Sequence, residues 1–173
     1  MPAPAAPDRA EARGDTAQWE RLCALLDDDE HLWPAVRQAL LDPAGYLAAR
    51  AHSPLAPTDP ADVDPWVALI DGLDDAGALA YLDTGDQGEE LAEALAALPR
   101  VVGAGLDLGP VTDTDGDVPT AVRAADRVLA RAGLCLVHLH EGDDAHPLVV
   151  VRAADHAEIT ATVRALGHST DLD

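Results

Sequence analysis

Residues 126–167 constrain the fold more than any other part of the sequence, because they contain two short apolar runs separated by an acidic turn. Residues 134–139 and residues 147–151 are too short and too apolar to be amphipathic helices, so each run predicts a buried strand. Residues 141–144, with the sequence Glu-Gly-Asp-Asp, have the composition of a turn. The pattern therefore predicts an antiparallel hairpin with a loop of about four to six residues.

Helical patterns precede and follow this hairpin. Apolar residues recur at helical spacing up to Ala132, and Gly133 can adopt the left-handed conformation that ends helices. After the hairpin, Asp155 and Glu158 form a capping-box pattern at the start of another helix, which Gly167 closes. Because a sheet must bury its apolar face, we expect these helices to pack against the hairpin.

Two further segments have the character of strands. Residues 78–82 follow a clear helix that begins at Asp64-Pro65, and residues 101–108 follow a helix that Pro99 ends. Together with the hairpin they predict an α/β (α+β) fold, in which a mixed sheet of about four or five strands is covered by helices.

The chain is of a length that suits one domain with a substantial core. Its first residues are rich in proline, alanine and charge without any period, which predicts disorder. A later stretch with three prolines and no period predicts a linker. We expect a disordered N-terminus at 1–14 and a single α/β domain at 15–173, made of a helical section (15–51), a Pro-rich linker (52–63) and a sheet-bearing core (64–173).

The sequence has a formal net charge of -21 at pH 7. This charge disfavours nucleic acid and anionic membranes as partners, because both are bound through lysine and arginine. It permits fast electrostatic capture of a basic protein partner. The simpler explanation of the same charge is a solvated acidic surface that keeps the protein soluble.

The sequence also disfavours several locations and chemistries. It opens without a basic-then-apolar leader, and its apolar runs fall short of the roughly 18 residues that cross a bilayer. Cys23 and Cys135 lie in apolar patterns typical of core positions. Ser53 and Ser169 lack the strand-to-helix turn of a nucleophilic serine. We therefore expect a cytoplasmic protein without a cofactor, and the sequence favours a non-enzymatic role.

One dense group of potential ligands stands out, formed by His138, His140, Asp143, Asp144 and His146. Two histidines at alternate strand positions project to one side, and a carboxylate from the following turn would complete a site with nitrogen and oxygen donors. The spacing misses the His-x-His-x-Asp-His pattern of metallohydrolases, because two residues separate His140 from the first aspartate. The competing interpretation is a hydrogen-bonded histidine beside a solvated turn.

Two further aspartates, Asp83 and Asp86, follow the predicted strand at 78–82. If that strand and the strand at 134–139 are parallel neighbours, these carboxylates face the turn that contains Asp143 and line a crevice at the strand ends. Aspartates in such positions more commonly form caps and turns. We therefore treat these two aspartates and the five potential ligands of the previous group as one candidate binding patch of seven residues. We assign neither catalytic residues nor metal ligands.

Three groups of residues resemble one known family. They are residues 66–71 (WVALID) with Leu73, the strand that ends Tyr81-Leu82-Asp83, and residues 132–148. This pattern is similar to an uncharacterised bacterial domain-of-unknown-function family and covers about residues 64–173. The resemblance implies an α/β fold and a bacterial origin, and that family has no established activity to transfer. The sequence departs from the pattern at Thr84-Gly85, where an aromatic and a basic residue are expected, and at His146, where an aromatic ring is expected.

Two functional hypotheses follow from the residues. The first is a non-enzymatic acidic binding module, of an inhibitor or immunity type, which neutralises a basic protein. The alternative is a metal-assisted hydrolase that uses His138, His140, Asp143 and His146. The two hypotheses differ in whether the histidines hold a metal ion or merely pack beside the turn.

Overall fold

The computed structural model describes residues 9–52, 56–142 and 144–172, with side chains from residue 16 onward. Three predictions concern residues outside the described part: the disorder at residues 1–8, part of the linker (53–55) and the candidate residue Asp143. The α-helices of the described part are α1 (Arg9–Leu26), α2 (Leu32–Leu41), α3 (Pro43–Ala49), α4 (Pro65–Asp75), α5 (Gly88–Ala96), α6 (Pro99–Ala104), α7 (Gly109–Thr112), α8 (Val118–Leu129) and α9 (His156–Ala165).

The described strands form one antiparallel sheet, made of β1 (Leu79–Asp83), β2 (Leu134–His138) and β3 (Ala145–Arg152). The last strand in sequence, β3, is central, and Val149 pairs with Leu79 on one side and with Val137 on the other. The predicted α/β class is confirmed. The expected mixed sheet of four or five strands is wrong, because the described residues contain three strands and all their pairings are antiparallel.

The predicted hairpin is confirmed. Gly133 has a φ of +69°, a conformation that glycine adopts without strain, and it ends the helical turn just before β2 begins. Residues 139–144 connect β2 to β3, and the register places Leu134 opposite Arg152 and His138 opposite Leu148. Alternate residues of each strand therefore face opposite sides of the sheet, as the sequence indicated.

The strand predicted at residues 101–108 is wrong, because this segment begins inside helix α6. Pro99 occupies the first turn of the helix, where its fixed φ and missing N–H are tolerated. Gly105 ends the helix with a φ of +61°. Gly103 lies inside this helix and Gly105 closes it, so the segment forms a short helix rather than a strand.

Helices cover both faces of the sheet. One face packs against α1, α2, α4 and α9 and forms the first core, which contains Trp19, Leu22, Trp66, Leu69, Leu73, Val137, Val149 and Ile159. The other face packs against α5, α6, α7 and α8 and forms the second core, which contains Leu82, Leu91, Leu95, Val111, Val128, Leu129, Leu136 and Leu148. Each such buried aliphatic side chain contributes roughly 1.5–3 kcal/mol, so the two cores dominate stability.

The N-terminal helices form a layer on the first core. Helix α1 begins at Arg9, so residues 9–14, for which we predicted disorder, are helical in the structure. Asp42 and Asp64 each accept a backbone N–H at the start of a helix, and a proline follows each of them. A small third core between α2, α3 and α4 contains Ala39, Tyr46 and Ala68.

The helices of the described residues are all too short or too polar to cross a lipid bilayer.

Candidate functional site

Three of the seven predicted residues come together at one end of the sheet. His138 is the last residue of β2, His146 lies in β3, and His140 lies in the loop between these strands. The His138 ring centroid is 5.4 Å from that of His146 and 5.8 Å from that of His140. We call these three residues the imidazole cluster.

The imidazole cluster contains buried nitrogens. His138 is 5% exposed, and its Nδ1 lies 2.7 Å from the backbone oxygen of Asp171. Because a carbonyl only accepts, Nδ1 is the donor. His138 Nε2 and His146 Nδ1 are buried without a hydrogen-bond partner among the described residues. Burial lowers the pKa of His138, and the hydrogen bond to Asp171 opposes that shift only in part.

The arrangement does not assemble a metal site within residues 9–52, 56–142 and 144–172. No group of three or more His, Cys, Asp or Glu side chains there is placed to hold a metal ion. Asp144 is exposed, and His140 is exposed with its backbone bonded to Ser169 and Trp66. A low pKa favours a neutral imidazole, which is the form that packs in an apolar site.

Asp83 and Asp86 form a turn. The Asp86 carboxylate accepts a hydrogen bond of 2.8 Å from the Asp83 backbone N–H, which is the turn role expected as the more common one for such aspartates. The condition of parallel neighbouring strands is not met, because β3 lies between β1 and β2. Asp83 nevertheless pairs with Ala145 at the end of the loop, through the antiparallel pairing of β1 with β3.

A second site, which the sequence analysis missed, lies beside the third core. A cavity of about 240 Å³ is lined by residues from α3, α4, the segment before α4 and the loop after β2. We call it the carboxylate cavity and define it by Tyr46, Val63, Asp64, Val67, Asp71 and Glu141.

The polar groups of the carboxylate cavity differ in how they are satisfied. Tyr46 is 5% exposed, and its hydroxyl has no partner among the described residues. Burial raises the pKa of Asp71; Arg50 opposes the rise, and the neighbouring carboxylates Glu141, Asp75 and Asp74 add to it. The cavity is therefore lined by several carboxylates, while the hydroxyl oxygen of Tyr46 is itself buried.

Neighbouring side chains hold this cavity in place. Arg50 Nη2 donates to Asp75 at 2.5 Å and Nη1 donates to Asp71 at 3.4 Å, and its guanidinium lies 5.4 Å from the centroid of the Tyr46 ring. The Tyr81 hydroxyl donates to Glu141, another lining residue, at 3.0 Å. These contacts join different elements of the fold.

An acidic run, Asp27-Asp28-Asp29-Glu30, connects α1 to α2 and lines an open groove of about 420 Å³. We call it the acidic corner and define it by Glu20, Asp27, Asp28, Asp29, Glu30 and Trp33. Asp27 and Asp29 accept backbone N–H groups in their own turn. Glu20, Asp28 and Glu30 are exposed.

The two cysteines are poor nucleophiles. Burial raises the pKa of the Cys23 thiol to about 12 and that of the Cys135 thiol to about 11. Because the thiolate is the reactive form, neither residue is activated for covalent chemistry.

One signal in the sequence points to the missed cavity. The chain has only two tyrosines, and both contribute, Tyr46 as a wall and Tyr81 as the support of Glu141. Asp71 also interrupts the apolar pattern of α4. Neither feature predicts that these residues meet, because they come from distant parts of the chain.

Comparison with known protein families gives a match. A family model described as "Domain of unknown function (DUF6630)" matches residues 18–173. No curated protein and no solved structure matches the chain. The match extends further towards the N-terminus than the resemblance seen in the sequence, and it includes both the acidic corner and the carboxylate cavity.

Proposed function

The chain belongs to this DUF6630 family of domains of unknown function, and from its geometry we propose that it is a non-enzymatic acidic binding module that captures a basic protein, in the manner of an inhibitor or immunity protein. The observation that carries the proposal is the acidic corner, where carboxylates surround an open groove that contains a tryptophan.

The distribution of charge supports this proposal. Residues 16–76 carry twelve carboxylates and three arginines, whereas residues 114–173 carry ten carboxylates and five arginines. A surface dominated by one sign of charge accelerates encounter with a partner of the opposite sign. Residues 77–113 carry a further seven carboxylates and one arginine, so the acidic excess extends over residues 16–113, which include α1 to α4.

The composition of the acidic corner also supports it. Trp33 is half-buried and lines the groove together with Ala24 and Pro34, so apolar side chains lie among its carboxylates. Protein interfaces commonly combine an aromatic anchor with a polar rim. The corner thus offers both electrostatic attraction and an apolar surface for contact.

We also propose a cytoplasmic location. Cys23 and Cys135 are both unpaired, which suits a reducing compartment.

The test measures binding of a short arginine-rich peptide to two variants with equal loss of charge. The corner variant combines Glu20→Gln, Asp28→Asn and Glu30→Gln. The control combines Glu89→Gln, Glu93→Gln and Asp115→Asn, three exposed carboxylates outside the corner. We expect the corner variant to lose about tenfold in affinity at low salt and the control to lose less than about twofold. Equal losses would show that only total charge matters and would contradict the proposal.

A metal-assisted hydrolase is the second candidate, and the observation that favours it is the pair of unpartnered nitrogens, His138 Nε2 and His146 Nδ1. Imidazole nitrogens of this kind bind zinc well. Isothermal titration of the protein with Zn²⁺, repeated on His138→Gln, tests this candidate. Heat that saturates and disappears in the variant would support it, and absence of heat would end it.

A further inference from the structure

The sheet has two edges, and β1 forms one of them. Backbone hydrogen bonds show which way the residues of β3 point in the plane of the sheet. Leu139 donates its N–H to the carbonyl of Pro147 at 2.9 Å, so Pro147 is directed towards β2. The next residue, Leu148, is directed towards β1, where its partner is Ala80. The two neighbours of Ala80 in β1 therefore direct their N–H and C=O groups away from the sheet.

These outward backbone groups belong to Leu79 and Tyr81, and we call them the β1 edge. Within residues 9–52, 56–142 and 144–172 they have no hydrogen-bond partner. Tyr81 is 48% exposed, so its backbone lies at the surface. The row ends at Asp83, whose N–H donates to Asp86. The β1 edge thus offers a short row of donors and acceptors to which another strand can add.

The other edge of the sheet is closed. Leu136 is directed outward from β2, and its N–H donates to the Asp126 carboxylate of α8 at 2.8 Å. Leu136 and His138 are both buried, so solvent does not reach this part of β2. An added strand therefore has access to β1 and not to β2.

The charge beside the β1 edge determines which segment suits it. Burial and a hydrogen bond to Glu141 are the main reasons why the pKa of Tyr81 is raised to about 12. The charges of Glu141, Asp83 and Asp71 add to this rise, so all three carboxylates act on the half-exposed ring. A second copy of this chain, with its net charge of -21, is repelled from such an edge, whereas a basic segment is attracted.

The alternation of side chains defines the pattern of the segment. Ala80 and Leu82 are buried in the second core, so Leu79 and Tyr81 project to the opposite face of the sheet. In an antiparallel pair, the residue opposite Tyr81 projects to the same face as Tyr81, at about 4.5–5.5 Å between Cβ atoms. A lysine or arginine in that position meets the Tyr81 ring and the Glu141 carboxylate. The matching segment is therefore extended, with basic residues at alternate positions.

We propose that the β1 edge accepts an extended segment of the basic partner as an additional antiparallel strand, with a lysine or arginine opposite Tyr81. The inference rests on the proposed function, because the partner supplies the segment. Main-chain hydrogen bonds to Leu79 and Tyr81 provide affinity, and the alternating basic side chains select the partner.

The first experiment uses the peptide acetyl-Arg-Thr-Arg-Thr-Arg-Thr-Arg-amide, in which arginines alternate with a residue that favours strands. Amide hydrogen exchange is measured by NMR on the free protein and on the protein saturated with this peptide. We expect the Leu79 and Tyr81 amides to exchange at least about tenfold more slowly in the complex. The Leu136 amide, which is already bonded to Asp126, is the control and should not change. Unchanged exchange at Tyr81 in the saturated protein would overturn the inference.

The second experiment tests the backbone bonds without changing the protein. Because the arginine opposite Tyr81 directs its own N–H at β1, N-methylation of the two central arginines should weaken peptide binding by about tenfold or more. N-methylation of two threonines is the matched control, since their N–H groups point away from β1, and it should weaken binding less than about twofold. Equal affinities of the two methylated peptides would show binding by charge alone and would overturn the inference.

The third experiment uses variants of Tyr81. Tyr81→Val keeps the backbone N–H but removes the ring, and it should weaken peptide binding about threefold to fivefold. Tyr81→Pro also removes the outward N–H and should weaken binding more than about tenfold; proline is tolerated at edge positions whose N–H faces solvent. Glu93→Gln on α5 is the control for charge and should change affinity less than about twofold.

A folded Tyr81→Pro protein that binds the peptide like the wild type would contradict the inference. If this variant does not fold, the N-methylated peptides decide the question on the wild-type protein.

Sedimentation of the free protein tests a second copy as the occupant of the β1 edge. We expect a monomer at the concentrations used for NMR, because the edge is acidic in both copies. A dimer with a protected Tyr81 amide, which dissociates when Tyr81→Pro is introduced, would show that a second copy occupies the edge and would overturn the inference.

The same peptide separates failure of this inference from failure of the proposed function. If the corner variant lowers its affinity while the Tyr81 variants and N-methylation of the arginines do not, the edge inference is wrong and the proposed function stands. If the peptide does not bind at low salt, the proposed function is wrong, and the inference fails with it. Loss of affinity in both kinds of variant supports both.

Discussion

The imidazole cluster and the carboxylate cavity both contain buried polar atoms without partners, yet they differ in how the chain builds them. The cluster arises within one hairpin, where residues close in sequence are also close in space. The cavity draws on residues as far apart as Tyr46 and Glu141. The comparison teaches that a dense group of reactive residue types does not by itself make a binding site. A cavity that residues from several elements line together is the stronger indication.

The two regions share one connection. Trp66 donates from its indole N–H to the backbone oxygen of His140, the member of the cluster that precedes Glu141 in the sequence. The Trp66 ring also stacks on His168 at 4.1 Å between centroids and meets Trp19 edge to face at 6.3 Å. Trp66 is therefore the residue whose loss should affect both regions.

Trp66→Ala should give the largest effect. It removes a 3% exposed aromatic side chain from the first core, so we expect a loss of about 3–5 kcal/mol in the free energy of unfolding. Urea unfolding measures the loss. Trp66→Phe is the control that retains most of the packing, and it should cost less. If NMR signals of the cluster and the cavity do not both shift in Trp66→Phe, the two regions are independent.

Lowering the pH should destabilise the protein through the cluster. Burial lowers the pKa of His138 below the ordinary value of 6.5, and burial also lowers the pKa of His168. The unfolded chain therefore binds protons more readily, so stability is complete above pH 6.5 and falls as the pH decreases below it. Urea unfolding about one pH unit on either side of this value measures the change.

The matched variant for this pH test is His138→Leu, which removes the buried imidazole facing His140 and His146. Its stability should depend less on pH than that of the wild type. The raised pKa values of Asp71 and Asp126 act in the opposite sense, because they favour the folded state as the pH falls towards 3.8. A profile that is identical in both proteins would remove His138 as the source.

Tyr46→Phe should change the stability less than Trp66→Ala does, and it should stabilise the protein rather than destabilise it. Because the Tyr46 hydroxyl is buried without a partner, its removal should raise the free energy of unfolding by about 1 kcal/mol. Tyr81→Phe is the control, since it removes a hydroxyl that donates to Glu141, and it should lower stability by up to about 1 kcal/mol. Destabilisation in both variants would show that the Tyr46 hydroxyl is satisfied in solution.

Asp71→Asn should have the smallest effect on stability. Asp71 is half-exposed, so its interaction with Arg50 is screened by solvent, and Arg50 retains its bond to Asp75. We expect the free energy of unfolding at neutral pH to change by less than about 0.5 kcal/mol. A loss greater than about 2 kcal/mol would identify the Arg50–Asp71 pair as structural rather than as part of a binding site.

The sequence predicted those parts of the fold that depend on local patterns. The hairpin followed from the short apolar runs, and Gly133 marked the end of a helix correctly. The error at residues 101–108 arose because Val101 and Val102 suggest a strand, whereas Pro99 and Gly105 allow a short helix that buries Val101. Local propensity was overridden by packing against the second core.

The candidate sites show the same difference between what local patterns predict and what long-range packing decides. His138, His140 and His146 were found because strand periodicity and a hairpin bring them together. The meeting of Tyr46 with Glu141 depends on how α3, α4 and the loop after β2 pack, which no local pattern encodes. The charge of the acidic corner was visible in the sequence, but its groove beside Trp33 required the angle between α1 and α2.

The central position of β3 also determines when the sheet can assemble during synthesis. Both edge strands hydrogen-bond to residues 145–152, and they make no ladder with each other. A nascent chain that has emerged only as far as β2 therefore exposes two apolar strands with open edges. We expect such chains to need protection on the ribosome, and completion of the final hairpin to close both cores at once.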